Sequence, residues 1–315
     1  MTQAPRVSAA LLVGRQRDRA AGALASILEQ DGIEQCEVLV FDADPDDVAP
    51  LAGSDHPAVR YFARPDRPLG GTLRTCAVRE ARAPVVAFLE EHALAQPGWI
   101  AGIDAVFHDS TVTAASGEVC NLNSGVGISD VVHLMSFGRW APPLERAGET
   151  DVIVAHNAAY RRDALLALGD QLDVLLESEI VLQRALRQRG GRLVIDPRIR
   201  IGHFNETTTL TISRGYYLWN VAFGRTWSKV EQWSRLRRAL QVVGVPWWVL
   251  RRVTQMFRLA PAAQQGTLLR RLPSVLIAQT AGAAGIAVGC IGGHPGATRR
   301  FTDYELDLDR PTSSS

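Results

Sequence analysis

Lysine is almost absent from this chain. Lys229 stands alone among 315 residues; lysine and arginine together number 34, so 33 are arginine. A glycine-rich, lysine-bearing phosphate loop is missing near residue 14, which argues against an enzyme that activates nucleotides in that way. Cysteine is scarce too. Cys36, Cys76, Cys120 and Cys290 are widely scattered and form no CxxC pair. That spacing argues against a disulfide framework and for free thiols in a reducing compartment. No secretory leader is readable: Met1 to Arg6 is polar, and the apolar run from Val7 to Val13 is short and strand-like.

Acidic residues are missing from one segment rather than from the whole. The net charge is +1, yet residues 1–212 carry 20 Arg against 28 Asp and Glu, a net of −8. Residues 213–273 carry ten Arg and Lys229 against Glu231 alone, a net of +10, and hold five of the seven Trp. Such asymmetry points to two functional parts. Charge of either sign is then absent from Leu272 to Gly293. That run is long enough by count to cross a bilayer. Its five glycines and Pro273 fit an interfacial or core-buried hairpin as well. The residues after His294 read as a polar, disordered tail.

What is present in the first half is an alternation of strands and helices. Val7–Val13, Glu37–Phe41, Val59–Ala63, Val85–Leu89 and Val112–Val119 read as strands, with helical spacing over 18–30, 72–81 and 100–107. This order predicts an α/β fold with a mainly parallel sheet and right-handed crossovers. Residues 120–155 lack periodicity and read as a long functional loop. A helix is predicted over 176–189, then a strand from Arg192 leading to His203. The most informative strand is Val85-Val86-Ala87-Phe88-Leu89, which runs straight into Glu90-Glu91-His92. Ligands of open α/β sheets sit beyond the carboxyl ends of the strands. Glu90 and His92 are two apart, so in an extended segment they leave on one face. A carboxylate with an imidazole suits Mn²⁺ better than Mg²⁺, and His203 is a candidate third ligand.

Several segments resemble, in order, the family 2 glycosyltransferases. Val7-Ser8-Ala9-Ala10-Leu11-Leu12-Val13 is similar to the family's opening strand, without its Pro, Tyr and Asn. Ser26-Ile27-Leu28-Glu29-Gln30 resembles S-L-L-x-Q, and Glu37 to Asp42 the second strand. Gly70 to Thr75 falls where the family has G-x-x-x-A-R-N, and Phe88-Leu89-Glu90-Glu91-His92 where it has F-L-D-D-D. His156-Asn157-Ala158-Ala159-Tyr160-Arg161-Arg162 resembles G-x-N-x-A-x-R-R. Glu177-Ser178 with Arg184 resembles E-D-x-x-L-x-x-R, and Arg192 to His203 the segment ending in His. The resemblance covers about residues 6–206. Glu, Glu and His replace the acids of the metal motif, and Ser178 replaces Asp.

The resemblance implies a GT-A nucleotide-sugar-binding fold over residues 1–212. It places Val13, Asp42, Arg74, Glu90 and Glu91 on a nucleoside diphosphate sugar, with Asp42 at the base. It also implies a divalent metal (Mn²⁺ or Mg²⁺) on Glu90, His92 and His203, Glu177 as catalytic base, and His156 and Asn157 at the acceptor. Read without it, Glu177 is a helix N-terminal acid favoured by the macrodipole, and Glu179 has the same claim. The expected activity is sugar transfer to a hydroxyl of a lipid-linked or envelope glycan with inversion. A catalytically weak binding relative and a nucleotidyltransferase are the alternatives. Arginines interleaved with Trp233, Trp247 and Trp248 predict that residues 213–294 associate with an anionic membrane, not with nucleic acid. The expected location is cytoplasmic, peripheral at the inner face of the cell membrane.

Overall fold

The computed structural model describes residues 4–45, 50–144, 146–154, 158–293 and 296–307. The elements alternate at first: β1 (Val7–Val13), α1 (Arg17–Leu28), β2 (Cys36–Asp42), β3 (Val59–Ala63), α2 (Gly70–Glu80), β4 (Val85–Glu90), β5 (Ala93–Ala95), α3 (Trp99–Phe107) and β6 (Val112–Asn121). Then come α4 (Ser129–Phe137), β7 (Gly148–Glu149), β8 (Ala158–Arg161), α5 (Arg162–Leu166), α6 (Leu172–Leu176), α7 (Glu179–Gln188) and β9 (Arg192–His203). Helices complete the chain: α8 (Thr209–Val230), α9 (Arg235–Val243), α10 (Val245–Leu259), α11 (Ala262–Arg270), α12 (Leu272–Ile291) and α13 (Ala297–Asp307).

The chain divides into two compact units. The first comprises residues 1–120, 142–203 and 306–308; the second comprises 121–141, 204–305 and 309–315. The sheet belongs to the first and runs β3-β2-β1-β4-β8-β6-β9-β5, with β7 on β9. Its β3-β2-β1-β4 half is parallel, while β8 joins β4 and β6 antiparallel, and β5 and β7 join β9 antiparallel. Every residue of β1, β2 and β4 is buried, as suits strands covered on both faces. β1 lies between β2 and β4, so the strand order reverses there. Such a switch point opens a crevice at the carboxyl ends of the strands.

The second unit is helical and differs from the sequence expectation in three places. Its boundary falls after His203 rather than after residue 212, and it takes in 121–141, where α4 replaces part of the expected loop. α4 belongs here because Val131 and Leu134 share a core with Met256, Ala260, Leu268 and Val275. The expected disordered tail is a helix over Ala297–Asp307. Ala297 and Tyr304 are buried, and the Tyr304 hydroxyl bonds Glu206 Oε1 at 3.0 Å and the Thr211 carbonyl at 2.8 Å. Such a set of anchors orders a segment whose composition alone reads as polar.

α8 and α12 form the spine of this unit. Thr208 caps α8, its hydroxyl accepting the Thr211 N–H at 3.2 Å. The glycines that made Leu272–Gly293 ambiguous are packing devices. A Cβ on Gly289 would strike the Val221 carbonyl oxygen, one on Gly285 would lie 2.5 Å from the Tyr217 oxygen, and one on Gly224 would lie 2.6 Å from the Ile286 oxygen. The two helices therefore touch backbone to backbone, and α12 buries Val275, Ala278, Gly282, Ile286 and Cys290. Gly289→Ala is expected to destabilise this unit by about 1–3 kcal/mol through overpacking. Thr280→Ala, on the exposed side of α12, is expected to leave it unchanged. Thermal unfolding of both variants, followed by far-UV circular dichroism, measures the difference.

Candidate active site

Register brings the expected residues to one edge. Val13 pairs with Asp42 and Leu12 with Glu90, so the last residues of β1, β2 and β4 end side by side. Glu90 closes β4, and Glu91 and His92 form the turn into β5. Ala93 of β5 pairs with His203, the last residue of β9. That antiparallel pairing carries His203 across more than a hundred residues to His92. Their rings meet edge to face at 4.8 Å. Ligand atoms of Glu90, His92 and His203 all lie within 4.8 Å of one another, and all three side chains are buried. His92 Nε2 stands 2.8 Å from Glu90 Oε2. One carboxylate and two imidazoles, buried and converging, form a donor set suited to a divalent transition metal.

Burying Glu90 requires compensation. Arg74 supplies it from α2, whose Leu73 and Ala77 face the core. Its guanidinium lies 3.7 Å from Glu90, 3.6 Å from Glu179 and 3.3 Å from the Leu176 carbonyl. The helix predicted over 176–189 forms as α7, and the two residues that separate it from α6 put Glu177 in the break and Glu179 at the first position of α7. Glu179 turns inward to Arg74. Glu177 is half-buried and accepts the Gly71 N–H at 2.9 Å. A carboxylate at a helix N-terminus is favoured by the peptide dipoles.

Two expected residues are engaged with the protein itself. Glu91 is buried and accepts the Gly14 N–H at 2.6 Å, fixing the turn that leaves β1. Asp42 is fully buried. Its Oδ2 accepts from Arg17 at 2.6 Å and from the Tyr61 hydroxyl, and its Oδ1 accepts the Asp44 N–H at 3.0 Å. Burial, reinforced by Asp42, pushes the Tyr61 phenol up to about 12. Asp42 thus holds Arg17 and Tyr61 at the edge where it was itself expected to bind. Val13 is buried, and its carbonyl accepts the Ala43 N–H at 2.8 Å. His156 and Asn157, the expected acceptor residues, lie outside the described residues.

Sequence reasoning missed a further contributor to this edge. The Leu306 carbonyl accepts the Arg15 N–H at 3.1 Å, and Asp307 pairs with Arg67 at 2.7 Å and Arg15 at 3.9 Å. Gly14 permits this approach, because a Cβ there would collide with the Leu306 carbonyl. No local signal near residue 306 announces a partner so distant in sequence. Gly14→Ala is expected to displace Leu306 and Asp307 and to speed hydrogen exchange at the Arg15 amide at least tenfold. Exchange of the Val38 amide, in the neighbouring strand, should stay unchanged.

No protein-family model matches the sequence, and no curated protein does. Solved structures do. The mannosyltransferase PcManGT from Pyrobaculum calidifontis, in complex with GDP-Man and Mn²⁺, is similar at a TM-score of 0.56 and 18% identity, over 92% of this chain and 88% of that one. GalNAc-T7 with UDP, GalNAc and Mn²⁺ aligns at a TM-score of 0.48 and 14% identity over 64% of this chain, which spans 43% of that one. The sheet, its switch point and the flanking helices are those of the GT-A glycosyltransferase fold.

Proposed function

We propose that this chain is a metal-dependent glycosyltransferase that takes its sugar from a nucleoside diphosphate donor. The observation that carries this reading is the convergence of buried Glu90, His92 and His203 at the switch-point edge of the sheet. The complex of PcManGT, which holds Mn²⁺ with GDP-Man, supports it by analogy of fold. The order of motifs resembling family 2 supports placement in that family.

Glu90, His92 and His203 would hold the ion. When bound, a divalent metal supplies Lewis-acid stabilisation to a departing diphosphate. The remaining work falls to the chain's own groups. Arg74 pairs with both Glu90 and Glu179, so that one cation is shared by two buried acids. Glu177, partly open to solvent, takes the proton of the acceptor hydroxyl. The acceptor oxygen bonds to the anomeric carbon as the bond to the diphosphate breaks, and the electron pair leaves with the diphosphate. One base on the acceptor side gives inversion. A lipid-linked or envelope-glycan acceptor, met at the cytoplasmic face of the membrane, fits the basic, tryptophan-rich second unit.

The test is a thermal-shift panel of UDP- and GDP-sugars with Mn²⁺, Mg²⁺ or chelator, followed by turnover assays on the stabilising donor. Stabilisation by a donor is expected only with metal, and His92→Ala and His203→Ala should both remove it. Glu177→Gln should keep the metal-dependent shift while lowering kcat by about 10²- to 10⁴-fold. A donor shift indifferent to chelator, or unchanged turnover in Glu177→Gln, would contradict the assignment.

A further inference from the structure

α9 and α10 are separated only by Gly244, whose right-handed helical backbone (φ −74°, ψ −5°) barely interrupts the path. Leu236, Leu240, Val243, Trp247 and Leu250 follow one another at spacings of four, three, four and three. They form one stripe along both helices. The stripe faces outward: the five are 71%, 57%, 76%, 65% and 59% exposed. Their opposite side has a support, since both helices pack on α12. α12 itself, the one described helix long and apolar enough to cross a bilayer, is more than half buried and locked to α8 through its glycines. Drawing it into lipid would strip the core of its own unit. Its exposed side adds Leu276 and Ile277 to the apolar surface.

Charge decides what covers this surface. No Asp or Glu occurs between Glu231 and Asp303, while arginines stand at 235, 237, 238, 251, 252, 258, 270 and 271. Two of them are drawn onto tryptophan faces: Arg237 lies 4.2 Å from the Trp233 ring centre and Arg251 5.6 Å from that of Trp248. A second copy packed on the stripe would set arginine against arginine, with no carboxylate along either helix to relieve it. An anionic bilayer meets every feature at once. It takes an apolar stripe of no fixed shape, places tryptophan at the headgroup level and pairs with flanking guanidinium groups.

We propose that the α9–α10 face is a peripheral membrane-binding surface for anionic lipid, with the Leu236–Leu250 stripe immersed and the flanking arginines on headgroup phosphates. It names the membrane partner of the reading above and rests on that reading for its purpose alone, because binding is measured without donor or turnover. Failure of either is therefore visible separately.

The experiment is co-sedimentation of the full-length protein with phosphatidylcholine vesicles, with and without phosphatidylglycerol, at low and high salt. Binding is expected only with phosphatidylglycerol, and high salt should weaken it by at least tenfold. Leu240→Asp/Leu250→Asp should lose at least tenfold in partitioning. Arg235→Gln/Arg251→Gln should lose about fivefold per arginine. Leu210→Asp, on a still more exposed leucine of α8, should bind as the parent does. All five sites are exposed, so unfolding temperatures should match the parent and exclude misfolding as the cause. Undiminished binding by Leu240→Asp/Leu250→Asp overturns the proposal. So does self-association in light scattering that the same variant abolishes without any vesicle binding. Release by detergent but not by salt would instead make α12 a span, and would overturn the proposal too.

Discussion

The site is organised around a buried carboxylate. Glu90 ends a strand with no exposed residue, where an isolated negative charge is costly. Two groups answer that cost from different directions: the Arg74 guanidinium from α2 and the His92 imidazole from the turn after β4. Each answer imposes further structure. Arg74 also reaches a second acid, Glu179, at the first position of α7. His92 meets His203, which fixes how far β9 must run before the chain leaves the sheet. One burial thus ties together β4, α2, α7 and β9.

That chain of dependence explains which parts of the site were readable in the sequence. Asp42 and Glu90 stood out because apolar strands that stop at a polar residue mark the edge of a parallel sheet, Val13 came with the resemblance, and the register sets the three strand ends side by side. Arg74 stood out only through motif resemblance. Its pairing with Glu179 spans 105 residues and leaves no local pattern. Asp42 shows the opposite difficulty. Its position was readable, but its engagement with Arg17 and Tyr61 depends on neighbours brought in by α1 and β3. The place of Glu177 before the helix was hidden because the apolar spacing runs on from Leu176, whereas α7 starts only at Glu179.

The helical unit was harder to read because hydropathy and packing say different things there. An uncharged run rich in glycine and alanine is equally apolar whether it faces lipid or another helix. What separates the two is how closely the partner approaches, and α8 reaches α12 at Gly285 and Gly289 to backbone contact. More than half of the strongly apolar helix is therefore packed inside its unit, and the more polar α9 and α10 expose Leu236, Leu240, Val243, Trp247 and Leu250. The disordered reading of the residues after His294 failed for the same kind of reason, since Tyr304 of α13 finds its partners at Glu206 and Thr211.

The bond between Arg15 and Leu306 has a consequence in time. Ribosomes add about 5–20 residues per second, and domains fold as they emerge. Nearly three hundred residues separate the two partners, so the loop after β1 waits roughly 15 to 60 seconds for the segment that closes against it. Throughout that interval the growing chain has its first strands but an unfinished edge beyond them. A chaperone present during synthesis would meet that edge in a form the finished protein does not keep.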